Sequence, residues 1–466
     1  MFDDLKPYPA YGASHELLGP APDGWNTTKL KHLVSVIGGA TPTKERLGFW
    51  DGGTIPWVSP KDMKVPVLED SIDHITEAAL SGSSVRLVPA GSVLMVVRGM
   101  ILARRVPIAL TTAPVTLNQD MKALVPHPGV VSGAYLALLL NGLPTVLDSL
   151  VSEAGHGTKK LDSEAWEQLR VPVPPLDEQQ AIVTYLAHAH QRIHKAIDAK
   201  QRLIALLDEE TRALRDLAIH EATPSGPAPL LGRLLRRIEQ GWSPTAAEGA
   251  LAADQWAVLS LSAISGGRFM GSAMKPIPAH LPVPRALEIN DGDVLMTRSN
   301  TRARVGDAAV VRNARPRTIL SDLIYRLTPG SLLDGEYLAL YLQSSAGRAQ
   351  IESDARGSSD TMPKISQMHI KRWRVPVPPL DVQRAIVDDV QAEFARVVRA
   401  RDVITREINL LKEFCTRLTF DVVTGQVDVR HIAASLPPID PAEAFAGAPV
   451  AVGQDGETEI GEADVA

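Results

Sequence analysis

Residues 171–183 read VPVPPLDEQQAIV, and residues 375–387 read VPVPPLDVQRAIV. Eleven of the thirteen positions are identical at an offset of 204, which chance does not supply. The correspondence continues upstream. Lys160-Leu161 aligns with Lys364-Ile365, and Tyr135-Leu136-Ala137-Leu138 with Tyr337-Leu338-Ala339-Leu340. Gly91-Ser92-Val93-Leu94-Met95 aligns with Gly292-Asp293-Val294-Leu295-Met296, and Thr41-Pro42 sits near the place of Ser243-Pro244. Each half is therefore a divergent body, a near-identical proline-rich hinge and a long segment without Pro or Gly.

Within the bodies, short β-branched runs lie between Gly, Pro and Asn signals: Ile55 to Val58, Val93 to Val97, Val106 to Leu110, Val258 to Leu261 and Val305 to Val311. They predict mixed α/β bodies with short strands. A helix over Tyr135 to Asn141 closes the first body and one over Tyr337 to Gln343 the second.

The segments after the hinges have another period. Ile182, Leu186, Ala189, Ile193, Ile197, Lys200, Ile204, Leu207, Thr211, Leu214 and Ala218 recur at spacings of three and four. Ile386, Val390, Glu393, Val397, Arg401, Ile404, Ile408, Leu411, Cys415, Leu418 and Val422 repeat the pattern with two charged lapses. This is a coiled-coil seam. Helices on the order of 60 Å long cannot bury such stripes alone. Antiparallel pairing is expected, with a body at each end and an approximate two-fold axis relating the halves. Packing of both helices on other proteins is the alternative. The fold class is mixed α+β: two pseudo-symmetric α/β domains separated by a long antiparallel two-helix coiled coil. The expected segments are 1–172, 173–222, 223–376, 377–425 and a tail, 426–466.

The net charge of −6 argues at first against a nucleic-acid partner. Seven acids and no Lys or Arg lie from His431 onward, leaving 47 acids against 48 bases in the rest. The tail has the composition of a disordered segment, so local charge decides what the bodies meet. The single cysteine, Cys415, rules out an intrachain disulfide and a cysteine-based zinc site and suits a reducing cytoplasm. No run of about 18 uncharged apolar residues predicts a membrane span, and MFDDLKPYPAYG does not read as a secretory signal.

The doubled hinge with its helix resembles the Type I restriction-modification specificity subunit over nearly the whole chain, to about Arg430. YPAYGASHELLGPAPDGW (8–25), GGATPTKERLGFWDGGTIPWVSPKDMK (38–64), GSVLMVVRG (91–99) and NQDMKAL (118–124) are similar to stretches in one branch of that family. GWSPTAAEGALAADQWAVLSLSAI (241–264) is a diverged counterpart of the second stretch. The resemblance implies two target recognition domains, each reading half of a split double-stranded DNA site. It implies helices that act as a spacer and dock two methyltransferase subunits, joined by restriction and translocase subunits. S-adenosylmethionine, ATP and Mg would be bound by those partners, with no cofactor in this chain.

Arginine supplies the chemical signal. No acid lies between Ala78 and Gln119, whereas Arg86, Arg98, Arg104 and Arg105 do. From Arg298 to Arg317 there are six arginines (298, 302, 304, 312, 315 and 317) and one acid, Asp307. Arginine neutralises phosphate and reads guanine. The two clusters are expected at corresponding places just after the VLM strands. Thr43, Lys44, Arg46, Ser59 and Lys61 suit phosphate and base-edge contact, while Trp50 and Trp57 read as core. Lys159 and Lys160 close a GHGTKK loop that is either a phosphate cradle or a plain turn; Asn300 and Lys364 complete the candidates. Solvated loop charge is the competing reading for all of them.

Enzymatic motifs fare poorly. Pro174-Pro175 lacks the preceding amide or carboxylate and the following aromatic ring of an amino-methyltransferase loop; Val173 and Leu176 flank it. No Gly-rich adenosylmethionine turn or Walker lysine is present. Asp51, Asp62 and Lys64 have nuclease-like spacing without a counterpart in the other half. His156, His188 and His190 read as surface residues. The expectation is a non-catalytic DNA-reading subunit; the alternative is a coiled-coil scaffold that reads no sequence.

Overall fold

The computed structural model describes residues 2, 4–15, 18–153, 157–221, 223–244, 251–355, 362–439 and 445. The acidic stretch 440–466, apart from Phe445, and Gly155 and His156 of the GHGTKK loop lie outside the described residues. The chain divides into two units, Met1–Gln201 with Thr405–Ala466, and Arg202–Ile404. Both long helices, α2 (Leu176–Glu221) and α4 (Leu380–Val423), are thus shared between the units rather than standing apart from the bodies.

In the first unit, strands β1 (Val34–Gly38), β2 (Val67–Leu68), β3 (Val93–Val96), β4 (Ile108–Thr111) and β5 (Met121–Pro126) form one sheet in the order β1-β5-β3-β4-β2. All pairs are antiparallel except β2 with β4. In the second unit, β6 (Leu235–Gln240), β7 (Val294–Thr297), β8 (Ala308–Val310) and β9 (Ile324–Pro329) repeat it as β6-β9-β7-β8, all antiparallel. A three-stranded sheet accompanies each: Thr116–Leu117, Ile55–Val58 and Asp73–Ile75 in one, Thr318–Ile319, Ala257–Leu259 and Met274–Pro276 in the other. In each, one outer strand is parallel to the centre and one antiparallel. The diverged stretch 241–264 therefore supplies the same central strand as 38–64.

Residues of β3 and β7 are buried throughout, which is why VLM reads as a continuous apolar run. In the second unit Val294 and Met296 pack with Tyr337 and Leu338 of α3 (Gly335–Leu342), while Leu295 packs on the other face with Leu259, Leu320 and Ile324. Helix α1 (Gly133–Gly142) occupies the place of α3 in the first unit. Ser132 caps α1 through Tyr135 N, and Asp334 caps α3 through Glu336 N and Tyr337 N.

The hinge repeat has a concrete cause. Gln179 and Gln383 are fully buried in the first turns of α2 and α4. Gln179 donates to the carbonyls of Val130 and Pro174 and accepts from Ser132 N, each at 2.9 Å. Gln383 donates to Leu332 O (2.9 Å) and Pro378 O (2.7 Å) and accepts from Asp334 N (2.8 Å). The hydroxyls of Tyr135 and Tyr337 donate to the hinge carbonyls of Pro172 and Pro376, both at 3.1 Å. Each buried polar group is satisfied, so the joint is rigid.

Within each unit the helices run antiparallel. In the first, His190 meets Thr419 (2.8 Å) and Lys200 meets Glu407 (2.6 Å). In the second, Asp208 meets Arg401 (3.0 Å) and the Arg215 guanidinium lies 5.1 Å from the Phe394 ring centre. Ile182, Leu186, Ile193, Ile197, Val390, Val397, Ile404, Ile408 and Leu418 are buried, whereas Ile204, Leu207, Leu214, Ile386 and Leu411 are half-buried. Of the two charged lapses in the second seam, Arg401 pairs with Asp208 and Glu393 with Arg396, and Lys200 of the first seam pairs with Glu407.

Two expectations need correction. Residues 426–439 are not part of a free tail. Asp428 bridges to Lys6, and Arg430 N–H groups face Asp428 and the buried carboxylate of Glu178, which also accepts from the Tyr8 hydroxyl. Counting charge from His431 could not reveal these contacts, because they are made by Tyr8 and Lys6 at the other end of the chain. Nor is His190 a surface residue: it is fully buried, and burial, aided by nearby His194, pushes its pKa down to about 3. His188 is half-buried with Nε2 3.0 Å from Pro437 O.

Candidate nucleic-acid interface

In the first unit the chain leaves β3 at Val97 and meets the strand Lys159–Leu161. Arg98 bridges to Lys160, Gly99 N donates to Lys159 O (3.0 Å) and Leu161 N donates to Val97 O (2.9 Å). Gly99 sits at φ 129°, which turns the chain into the short 3-10 helix Met100–Ala103. Backbone pairing thus gathers Arg98, Lys159 and Lys160, which are far apart in sequence. Lys159 pairs with Glu153 (3.0 Å) and Lys160 with Asp162 (3.5 Å), so neither is an unopposed charge. Arg98 is exposed beside Asp120, and Arg104 is exposed with no side-chain partner among the described residues. Arg105 is half-buried facing Asp148, and burial lowers its pKa against that carboxylate's pull.

A cleft of about 580 Å³ opens beside this corner, lined by Lys44, Trp50, Trp57, Ser59, Lys61 and the turn Asn118–Asp120. Trp57 is buried and Trp50 half-buried, packed edge to face at 5.1 Å. Their indoles donate to Ala40 O (3.0 Å) and Thr43 O (3.3 Å), which pins the exposed loop bearing Thr43 and Lys44. Arg46 lies over the Phe49 ring at 4.2 Å. Ser59 is buried; its N–H and hydroxyl donate to Asp62, whose other carboxylate oxygen accepts from Ile72 N. These bonds place Ser59 in the turn and make Asp62 a structural acceptor, removing the support for a metal-holding triplet with Asp51 and Lys64.

The second unit has the same corner with other side chains. Ser299, not Arg298, bridges to Lys364, and Ile365 N donates to Arg298 O (2.9 Å). By register the counterpart of Arg98 is therefore Ser299, correcting the expectation that the arginines after the two VLM strands correspond. The offset between β3 and β7 is 201, whereas the hinge offset is 204. Asn300 is half-buried and accepts from Thr301 N at 2.8 Å, while Arg302 is exposed. Arg304 lines a cleft with Asp307, Arg348 and α2 residues Asp208 and Thr211. Arg315 donates to the carbonyls of Ala252, Ala253 and Gln255 at 2.8–2.9 Å. Arg317 has a left-handed backbone (φ 59°) and donates to Asp254 O and, through its N–H, to Glu288. Arg315 and Arg317 thus cap a loop whose carbonyls lack strand partners, and Arg312 pairs with Glu336. Arg298 is half-buried and donates to Asp322 O (3.5 Å), so a count of charges could not separate these structural arginines from the exposed Arg302.

Two bodies of one topology, each locked by the same hinge to a long helix, define a tandem-repeat protein with two equivalent corners. Residues 22–201 match the family model of the Type I restriction modification DNA specificity domain. The chain is 37% identical over 193 residues to the Type I restriction enzyme EcoR124I/EcoR124II specificity subunit of Escherichia coli, covering 41% of this chain and 47% of that protein. It is 33% identical over 178 residues to the MjaIX specificity subunit of Methanocaldococcus jannaschii, covering 37% and 39%. The chain spans less than half the length of these relatives. A chain solved in work on complex assembly and conformational transition of the type I R-M system superposes with a TM-score of 0.59 at 17% identity. That match covers 86% of this chain and 98% of the other and is a likeness of fold.

Proposed function

We propose that this chain is the DNA sequence-reading subunit of a Type I restriction-modification enzyme, with one half-site read by each body and no catalytic step of its own. The observation that carries the reading is the doubled corner: one backbone frame, built twice, with different polar and cationic side chains on it. A frame that is constant while its contact residues differ suits two distinct half-sites. Restriction and methyltransferase subunits dock on the chain in this reading and bring S-adenosylmethionine, ATP and Mg.

Two methyltransferase subunits are favoured by the helices. Leu206 and Leu410 occupy equivalent positions at the 204 offset, and they are 60% and 58% exposed. One exposed leucine in each unit offers two like contacts to two copies of one partner. No helix among the described residues is long and apolar enough to cross a membrane, and a single cysteine, Cys415, buried as a free thiol, suits a cytoplasmic chain. The test is DNA binding by the chain with its partner subunits against added salt. Sequence-selective binding with a steep salt slope is expected; a complex that assembles but binds all duplexes alike would leave the scaffold reading.

A further inference from the structure

The two corners share a feature smaller than the arginine clusters. Met121 N donates to Asn118 O, and Ile324 N donates to Ser321 O, both at 3.1 Å. Each bond closes a four-residue turn directly before the sheet strand β5 or β9. The third residue's carbonyl, Asp120 O or Leu323 O, accepts from the equivalent Val97 N or Arg298 N (2.8 and 2.7 Å). Both turns press on a glycine. A Cβ on Gly39 would stand 1.9 Å from Asn118 O, and one on Gly241 would stand 2.3 Å from Ser321 O. Neither approach leaves room for a side chain, so the height of each turn is fixed by backbone contact.

Register makes Gln119 and Asp322 equivalent second residues of these turns. Thr41 and Ser243, themselves equivalent, fix them: Thr41 donates to the side-chain amide oxygen of Gln119, which keeps its second lone pair, and Ser243 Oγ accepts from Asp322 N at 3.1 Å. Gln119 is exposed on the cleft rim, with its amide N–H groups still available. Asp322 is half-exposed, and its carboxylate has no hydrogen-bond partner among the described residues. Its backbone carbonyl accepts from Gln240 Nε2 (3.1 Å).

We infer that Gln119 and Asp322 are the paired base-reading residues of the two bodies, with Gln119 selecting adenine and Asp322 selecting cytosine. The inference rests on the DNA-reading function proposed above. A glutamine offers one acceptor and one donor side by side, which matches N6 and N7 of adenine in the major groove. An ionised carboxylate only accepts, which matches the N4 amino group of cytosine and repels the acceptors of guanine and of the thymine O4. Lysine and arginine nearby hold phosphates, and the glycine-backed turn sets how far the reading side chain reaches.

The experiment is selection from a randomised DNA library by the complex that the chain forms in its host, using the wild type, Gln119→Ala, Asp322→Asn and the double exchange Gln119→Asp with Asp322→Gln. Melting curves check that each variant folds. Gln119→Ala should lose roughly 10–100-fold of discrimination for adenine at one position in one half-site and leave the other half unchanged. Asp322→Asn should turn a cytosine preference in the other half toward adenine, and the exchange should swap the two base classes. A wild-type complex without sequence selectivity would overturn the DNA-reading function itself. A selective wild type whose preferences survive all three variants would overturn only the assignment of Gln119 and Asp322.

Discussion

Arg98 and Arg315 carry the same charge and do different things. Arg98 is exposed at the corner, whereas Arg315 spends its guanidinium on three loop carbonyls. Arg98→Ala should lower the slope of log affinity against log salt by about one unit and leave the melting temperature unchanged. Arg315→Ala should cost about 1–3 kcal/mol of stability by orphaning those carbonyls, with the slope unchanged. Titration at several salt concentrations beside thermal melting separates the two. His190 makes the opposite point about histidine. Thr419 donates to Cys415 O (2.8 Å), so the imidazole Nε2–H donates to Thr419, and burial keeps the ring neutral. Its pKa in the fold is about 3, below the ordinary value of about 6.5. The unfolded chain therefore takes up the proton first: the stability is complete above pH about 6.5 and is lost as pH falls toward 3. The other unit holds Phe394 at the equivalent position. His190→Phe should flatten the acid limb of the melting temperature between pH 6.5 and 4; an unchanged limb would place the acid sensitivity elsewhere.

Elements divide into those that announce themselves and those that do not. The long helices were legible because a seam of eleven positions per helix has one period and no Pro or Gly interrupts it. The central strands were legible because burial on both faces leaves only apolar residues. Short strands with polar sequences, such as Lys159–Leu161, carry no such signal; Lys159 and Lys160 were readable as charges but not as strand partners of Arg98. The loop capping by Arg315 and the 201 offset at the corner were hidden for a related reason: both depend on contacts between segments that no local pattern encodes. Along the helices, exposure separates two kinds of leucine or isoleucine. Ile408 is 6% exposed and Leu206 60%. Ile408→Asp places an unpaired charge in the seam and should cost several kcal/mol of stability, seen as a lower melting temperature. Leu206→Asp should melt like the wild type but retain less methyltransferase subunit on a sizing column. Equal retention by the Leu206 variant would argue against that docking contact.

At the scale of the molecule, two bodies that differ in their contact residues predict an asymmetric target with two unlike parts. Both long helices are uninterrupted over 46 and 44 residues and both contribute to both units. A stiff element shared in this way predicts a gap of unspecified bases whose length is strictly required. Inserting or deleting one gap base pair rotates a half-site by about a tenth of a turn and should remove most specific binding. Replacing residues 25–170 by another member's first body should change one half-site and keep the gap. Tolerance of any gap length in a binding series would defeat this expectation.

The joint formed by Gln179 and Gln383 has a consequence for how such a protein can change over generations. On the body side it touches only main-chain atoms: Val130 O and Ser132 N in one half, Leu332 O and Asp334 N in the other. Apart from the tyrosine, Tyr135 or Tyr337, that donates to the hinge, a fastening that grips peptide groups sets no condition on the side chains around it. Mutation can therefore rewrite a body's surface without weakening the seat, and two genes that share the hinge can exchange bodies by recombining within it. Ancestry in the bodies should then be patchwork, with neighbouring halves of one chain tracing to different lineages while the hinges keep a common descent.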